Sequence, residues 1–231
     1  MSAITGCNYG VTFDDCQVRC TGSGDCPDSF SCQSGMCRAP GETGACSAPG
    51  TVTLRQTTDD TIDRNVVLGC TNSDQTTAAQ SWFRVFSPAD AGIGGALQVD
   101  KVNLGICIAV GMTTVSVTVG VYGGGIGEAT LDKSMVSGTT QVTAQVPETQ
   151  LTELVAIPIT ATIPTGKNVF VEIDAPDLIG TGGQIDIGST DSAQTHPAYI
   201  EAPRCGTTVP TSTTKAMLSN AAFVITVEGS G

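Results

Sequence analysis

Six of the ten cysteines, Cys7, Cys16, Cys20, Cys26, Cys32 and Cys37, fall within the first 40 residues, among Gly, Ser and Asp and with almost nothing apolar to bury. A segment below about 40 residues with so little core needs disulfides, a metal or a partner to hold its shape. Structural zinc sites pair their ligands as C-x2-C, often with H-x3-H. The gaps here are eight, three, five, five and four residues, and the one histidine of the chain, His196, is far away. The spacing therefore points to disulfides, which place the chain in an oxidising compartment, outside the cell or in a periplasm. Each bridge closing a loop of about 15 residues contributes roughly 3 kcal/mol by restricting the unfolded chain.

The other four cysteines, Cys46, Cys70, Cys107 and Cys205, are dispersed. Both groups are even in number, so neither requires a free thiol. The expectation taken forward is three bridges within the first six, then Cys46 with Cys70 and Cys107 with Cys205. Met1-Ser2-Ala3 leaves no room for the apolar centre of a signal peptide, so the sequence reads as a processed or engineered form. Ile4-Thr5-Gly6-Cys7 is similar to a bacterial lipobox, but acylating Cys7 would leave nine cysteines and break the N-terminal six.

A Gly- and Pro-rich linker near residues 38–50 marks a boundary, and the expected division is 1–46, a small disulfide-rich module, and 47–231, a larger domain. Beyond the linker the apolar period becomes two. Val115, Val117, Val119 and Val121 alternate with small polar residues, the pattern of a half-buried strand with β-branched side chains on one face. Val102 to Ile108, Val155 to Ile163, Val169 to Ile173 and Phe223 to Val227 repeat it. Shorter candidates are Val52 to Gln56, Trp82 to Phe86, Gln141 to Val146, Gln184 to Ile187 and Ala216 to Ser219, with one helical turn at Ser87 to Ala91. No window sustains an amphipathic helix, which removes the crossover helices that a parallel sheet needs. The expected fold is mainly β, an antiparallel β-sandwich of jelly-roll-like form. Pro158 and Pro164 mark their strand as an edge or as ending there.

Two segments resemble known modules. Cys20-x4-Asp25-Cys26-Pro27-x4-Cys32-x2-Gly35-x-Cys37 resembles the small Dickkopf-like cysteine repeat of secreted myxobacterial and deltaproteobacterial proteins, and covers under a tenth of the chain. Ser81 to Phe86, Ala91-Gly92-Ile93, Val115 to Tyr122 and Pro197 to Gly206 resemble a β-sandwich module found at the C-terminus of assorted secreted bacterial proteins, some of them peptidases. That resemblance implies an accessory or adhesive role and supplies no catalytic residue.

Chemistry has few candidates. With 22 acidic residues against 10 basic and a formal charge of -12, the surface repels phosphate, so no nucleic-acid partner is expected. No stretch reaches the roughly 18 apolar residues of a membrane helix, so no membrane span is expected either. His196, in the loop Gln194-Thr195-His196-Pro197, would need a nucleophile and an orienting acid to serve as a base, and reads better as a surface histidine. Glu172, Asp174 and Asp177 raise the question of a glycosidase pair, but one Trp, three Tyr and six Phe are too few for a sugar-gripping cleft. Asp59, Asp60 and Asp63 form a candidate structural Ca2+ site, with Glu172, Asp174, Asp177, Asp186 and Asp191 as a second group. Trp82 and Arg84 share a strand face with Phe86 and read as core anchors ahead of a ligand platform.

The sequence thus describes a secreted, non-catalytic protein for extracellular binding, adhesion or assembly into a filament or matrix. Its partners would be further copies of itself or a cell-surface protein or glycan. A carbohydrate- or protein-binding accessory module, a protease-inhibitor-like knob and, more distantly, a secreted hydrolase are the alternatives. No cofactor is expected beyond the Ca2+ just named.

Overall fold

The computed structural model describes residues 20, 22–33, 36–41, 51–111, 113–149, 152–218 and 221–231, and omits the side chains of 64–67. The chain divides into two compact units, Met1–Gly50 and Thr51–Gly231.

In the first unit, β1 (Ser31–Gln33) and β2 (Met36–Arg38) form an antiparallel hairpin in which Cys32 faces Cys37. Each hairpin cysteine is bonded to an upstream one, Cys32 to Cys20 and Cys37 to Cys26. These two bridges bear out the disulfide reading of the spacing. Cys7, Cys16 and Cys46 lie outside the described residues.

The second unit is two antiparallel sheets. Its strands are β3 (Thr51–Leu54), β4 (Asp63–Leu68), β5 (Gln80–Phe86), β6 (Leu97–Val110), β7 (Thr113–Tyr122), β8 (Val136–Val146), β9 (Glu153–Ile163) and β10 (Asn168–Ala175), then β11 (Gln184–Thr190), β12 (Tyr199–Ala202), β13 (Thr207–Ser212), β14 (Ala222–Phe223) and β15 (Ile225–Ser230). The front sheet runs β13-β12-β5-β10-β7-β8. The back sheet runs β14-β11-β6-β15-β3, with β4 added on β11 and β9 on β6. Successive strands repeatedly change sheet, giving the jelly-roll-like winding expected. Alternation sets the core: Trp82, Val115, Val117, Val119, Val171 and Ile173 from the front meet Val102, Leu104, Ile106, Ile157, Ile185 and Ile225 from the back. Packing two such faces is what buries one side of every strand.

The front sheet is also covered on its outer side. Every residue of β5 is buried, because Phe83, Val85, Phe170, Tyr122 and Tyr199 form a second apolar cluster with Leu131. The segment 123–135 supplies Leu131 and straps across to β13, where Leu131 N–H donates to Pro210 O and Thr130 bridges Thr211. Gly127 N–H donates to the Tyr199 hydroxyl, whose pKa rises because the phenol is buried.

Two expectations are corrected. Ala216 to Leu218 is a turn rather than a strand, closed by Ala216 N–H to Ser212 O and Leu218 N–H to Thr213 O. Cys70 is bonded to Cys205, which excludes both Cys46–Cys70 and Cys107–Cys205. Cys107 is buried on β6. Trp82 and Arg84 are core residues, as read. The Trp82 indole donates to Leu68 O at 3.2 Å.

Candidate functional site

A cleft of about 290 Å³ with polar side chains around an apolar floor opens where the ends of β3 and β5 meet the loop before β12. The end of β3 and its continuation supply Thr53, Leu54, Arg55 and Gln56; the end of β5 and the following turn supply Phe86, Ser87, Asp90 and Ala91; the loop before β12 supplies Thr195 and His196. The turn at Ala89–Ala91 is a single 3-10 turn, and Ser87 at its start accepts from Asp90 N–H at 3.2 Å. Leu54 and Phe86 are buried and form the floor.

Three ionisable groups, His196, Asp90 and Arg55, line the rim. His196 Nε2 lies 2.8 Å from Asp90 Oδ2. That hydrogen bond, together with one from Ser87, holds the Asp90 carboxyl below the usual carboxylate range, and its side chain is 62% exposed. Arg55 is half exposed and pairs with Asp60 at 3.1 Å. The order of the polar groups matters for chemistry. A serine relay places imidazole between hydroxyl and acid, whereas here Asp90 sits between Ser87 and His196, and no hydrogen bond joins Ser87 to His196 among the described residues.

Arg84 anchors the cleft from behind. It is fully buried. Its Nε and Nη2 donate to Phe223 O at 3.2 and 2.7 Å. Nη1 reaches Gln56 Oε1 at 3.0 Å, Gln194 Oε1 at 2.8 Å and His196 O at 3.2 Å. Gln56 in turn donates to Val85 O. One guanidinium therefore ties the β3 continuation, the His196 loop and β14 together. All five contacts are to neutral acceptors, and burial pushes its pKa down to about 9, so it stays charged at neutral pH.

The other candidate residues are spread over separate structural contacts. Glu172 Oε1 is 3.0 Å from Lys133 Nζ, which is also 3.5 Å from Glu201 and lies over the Phe83 ring. Burial opposes the Lys133 charge, but the two glutamates outweigh it and raise its pKa. Asp174 accepts from Ser81 Oγ at 2.7 Å, and Asp177 from Asn72 Nδ2 at 2.8 Å. Asp186 accepts from Gln184 Nε2, and Asp191 is exposed. Asp59 closes a local turn with Thr61, Asp60 takes Arg55 and Thr57, and Asp63 opens β4. Among the described residues, the group of three metal-capable side chains whose ligand atoms lie within 4.8 Å of one another is Cys20, Cys26 and Cys37. Those sulfurs are consumed in the two disulfides.

Sequence reading located His196 but not its neighbours. Ser87-x-x-Asp90 has the spacing of a helical-turn start, a signal that identifies the turn and not its approach to a loop more than 100 residues away. Asp60 was singled out only as a candidate Ca2+ ligand, and nothing in the sequence beyond proximity joins it to Arg55.

No protein-family model matches the chain, and no curated protein matches it. Two solved structures are similar in fold. One holds the cysteine protease and lectin-like domains of Cwp84, a surface-layer-associated protein of Clostridium difficile, at 12% identity over 67% of this chain and 32% of that one, with a TM-score of 0.46. The other is a clostridial Cwp84 cysteine protease after propeptide cleavage, at 11% identity over 87% of this chain and 45% of that one, with a TM-score of 0.50. The chain spans less than half the length of either, and the likeness to the second is one of fold alone.

Proposed function

We propose that this chain is a non-catalytic extracellular module that acts by binding, with the cleft beside His196 as its site and a hydroxyl-rich ligand, a cell-surface glycan, as its partner. The observation that carries the reading is the composition of that cleft. An apolar floor of Leu54 and Phe86 is rimmed by an anionic acceptor, Asp90, and a cationic donor, Arg55, with Ser87, Thr53 and Thr195 between them. Vicinal hydroxyls are served by such alternating donors and acceptors, and a mostly apolar pocket with a few placed polar groups is the usual form of a small-molecule site. The disulfides support an oxidising compartment, and the N-terminal unit reads as a second, Dickkopf-like recognition module. The acid-centred order of Ser87, Asp90 and His196 supports binding over acyl transfer.

The test is titration of the purified chain with fragments of bacterial surface polysaccharide, followed by NMR and calorimetry. Binding that perturbs Asp90, Arg55 and His196 and weakens at least tenfold in Asp90→Ala, the scale of one charge-assisted hydrogen bond, is the expected result. Binding that ignores both Asp90→Ala and Arg55→Ala would remove the cleft as the site, and hydrolysis abolished by His196→Ala would replace binding with catalysis.

A further inference from the structure

On the outer face of the front sheet, Glu172 on β10 and Glu201 on β12 lie on either side of β5, and Glu172 stands opposite Phe83 in the register. Lys133 enters this space from the strap. Its Nζ lies 3.0 Å from Glu172 Oε1, 3.5 Å from Glu201 Oε2 and 5.3 Å from the centroid of the Phe83 ring. A ring face within about 6 Å and a pair of carboxylates are the elements that recognise an ammonium group. The two halves of the contact differ in origin. Phe83, Glu172 and Glu201 stand on three neighbouring strands of one sheet, whereas Lys133 reaches in from a single 3-10 turn, closed by Asp132 accepting from Ser134 N–H and Oγ. The fit is also incomplete. Glu201 Oε2 is shielded from solvent yet accepts no hydrogen bond, because Lys133 is drawn toward Glu172. Two carboxylates around one ammonium leave a negative charge uncompensated, and Asp174, exposed two residues along β10 on the same face, adds another. The Lys133 side chain is 46% exposed, so its flexible stem can turn out to solvent without moving the strap.

We propose that Phe83, Glu172 and Glu201 form a binding site for the primary ammonium of an unbranched alkyl chain, and that Lys133 occupies it as an internal plug. The group already seated there selects this chemistry, since the socket holds a linear alkylammonium and nothing bulkier. Charge favours the same class of ligand: the socket carries more acid than Lys133 neutralises, and the whole chain, at a formal charge of -12, attracts cations. A lysine side chain of a partner protein and a free diamine both present this group. Binding exchanges one ammonium for another, so the two carboxylates keep a counter-charge throughout, and the released Lys133 regains its rotamer freedom. The site shares no residue with the His196 cleft, so Asp90→Ala leaves it intact.

NMR titration of the intact chain tests this, with pentylammonium chloride as the probe and pentan-1-ol, of the same length but uncharged, as the control. The expected result is that the ammonium shifts the Phe83 ring and the Glu172 and Glu201 carboxyl carbons, that the alcohol does not, and that binding weakens as salt rises. In Lys133→Ala, checked for native circular dichroism, the probe should bind at least about tenfold more tightly, the factor withheld by a plug seated roughly nine-tenths of the time. Adding Glu172→Gln and Glu201→Gln to that variant should abolish the binding. A blocked Gly-Lys-Gly peptide and pentane-1,5-diamine then separate the two sources, the tighter binder to the wild type naming the ligand. No shift at Phe83 in the wild type or in Lys133→Ala would overturn the proposal. So would an equal response to the alcohol, binding that survives both glutamine substitutions, or an affinity in Lys133→Ala no higher than in the wild type.

Discussion

Cys70, just after a back-sheet strand, is bonded to Cys205, in the turn between two front-sheet strands, across a sequence separation of 135 residues. The bond staples the two layers together. In the chain-entropy account a loop of this length restricts the unfolded state by about 5 kcal/mol. The double variant Cys70→Ser/Cys205→Ser should therefore keep its native circular dichroism yet lose several kcal/mol in chemical denaturation. A loss below about 1 kcal/mol would show that the staple is redundant with the core.

The same bond marks where sequence reading stops. Alternating valines and isoleucines located β7, β9 and β10 because a strand with one buried face writes its orientation in every second residue. β12 and β13 were not legible: Tyr199 to Ala202 is short, and Thr207 to Ser212 is mostly polar, with Thr208 and Val209 exposed, so no alternation marks it. β5 hid its outer apolar face, since nothing in Phe83 or Val85 announces that residues 123–135 fold over them. Ala216 and Leu218 look like a strand by alternation but follow Thr213 and Thr214 into a turn. At the site, His196 was visible as the lone imidazole, whereas its pairing with Asp90 depends on two loops brought together by the sheet order.

Arg84 makes its contacts with a planar fork that a lysine cannot reproduce. Arg84→Lys keeps a buried cation and strands several of the acceptors on Gln56, Gln194, His196 and Phe223. Each buried acceptor left unpaired costs about 1–3 kcal/mol, so Arg84→Lys should lose about 3–5 kcal/mol. Arg84→Met strands every one of these acceptors and should lose at least as much. Denaturation midpoints below wild type are expected for both variants, and a lysine variant as stable as wild type would contradict the role of the fork.

The bond from His196 lowers the pKa of Asp90 below its reference of 3.8. A carboxyl depressed in the fold contributes stability above its unfolded pKa and loses it as pH falls through the folded value. The group is well exposed, so the energetic effect is small; the titration itself is the readout. In His196→Ala the Asp90 carboxyl carbon should titrate at higher pH than in the wild type. An unchanged midpoint would mean that Ser87 alone holds the acid.

Asp186 behaves oppositely. It is buried on β11 against Gly69, and burial raises its pKa above 3.8 even though Gln184 donates to it. The fold therefore binds this proton more tightly than the unfolded chain, and its contribution to stability falls as pH rises from about 4 through the folded value. Asp186→Asn should be more stable than wild type at pH 7 and lose that advantage at pH 3. Gly69 provides the steric half of the same contact, since a Cβ there would stand 2.2 Å from Asp186 Oδ1. Gly69→Ala should cost about 1–3 kcal/mol by overpacking. In an Asp186→Ala background the oxygen is gone, so the same substitution should cost much less, a coupling of about 1 kcal/mol or more in a double-mutant cycle. Additive losses would show that Gly69 is required by something other than the carboxylate beside it.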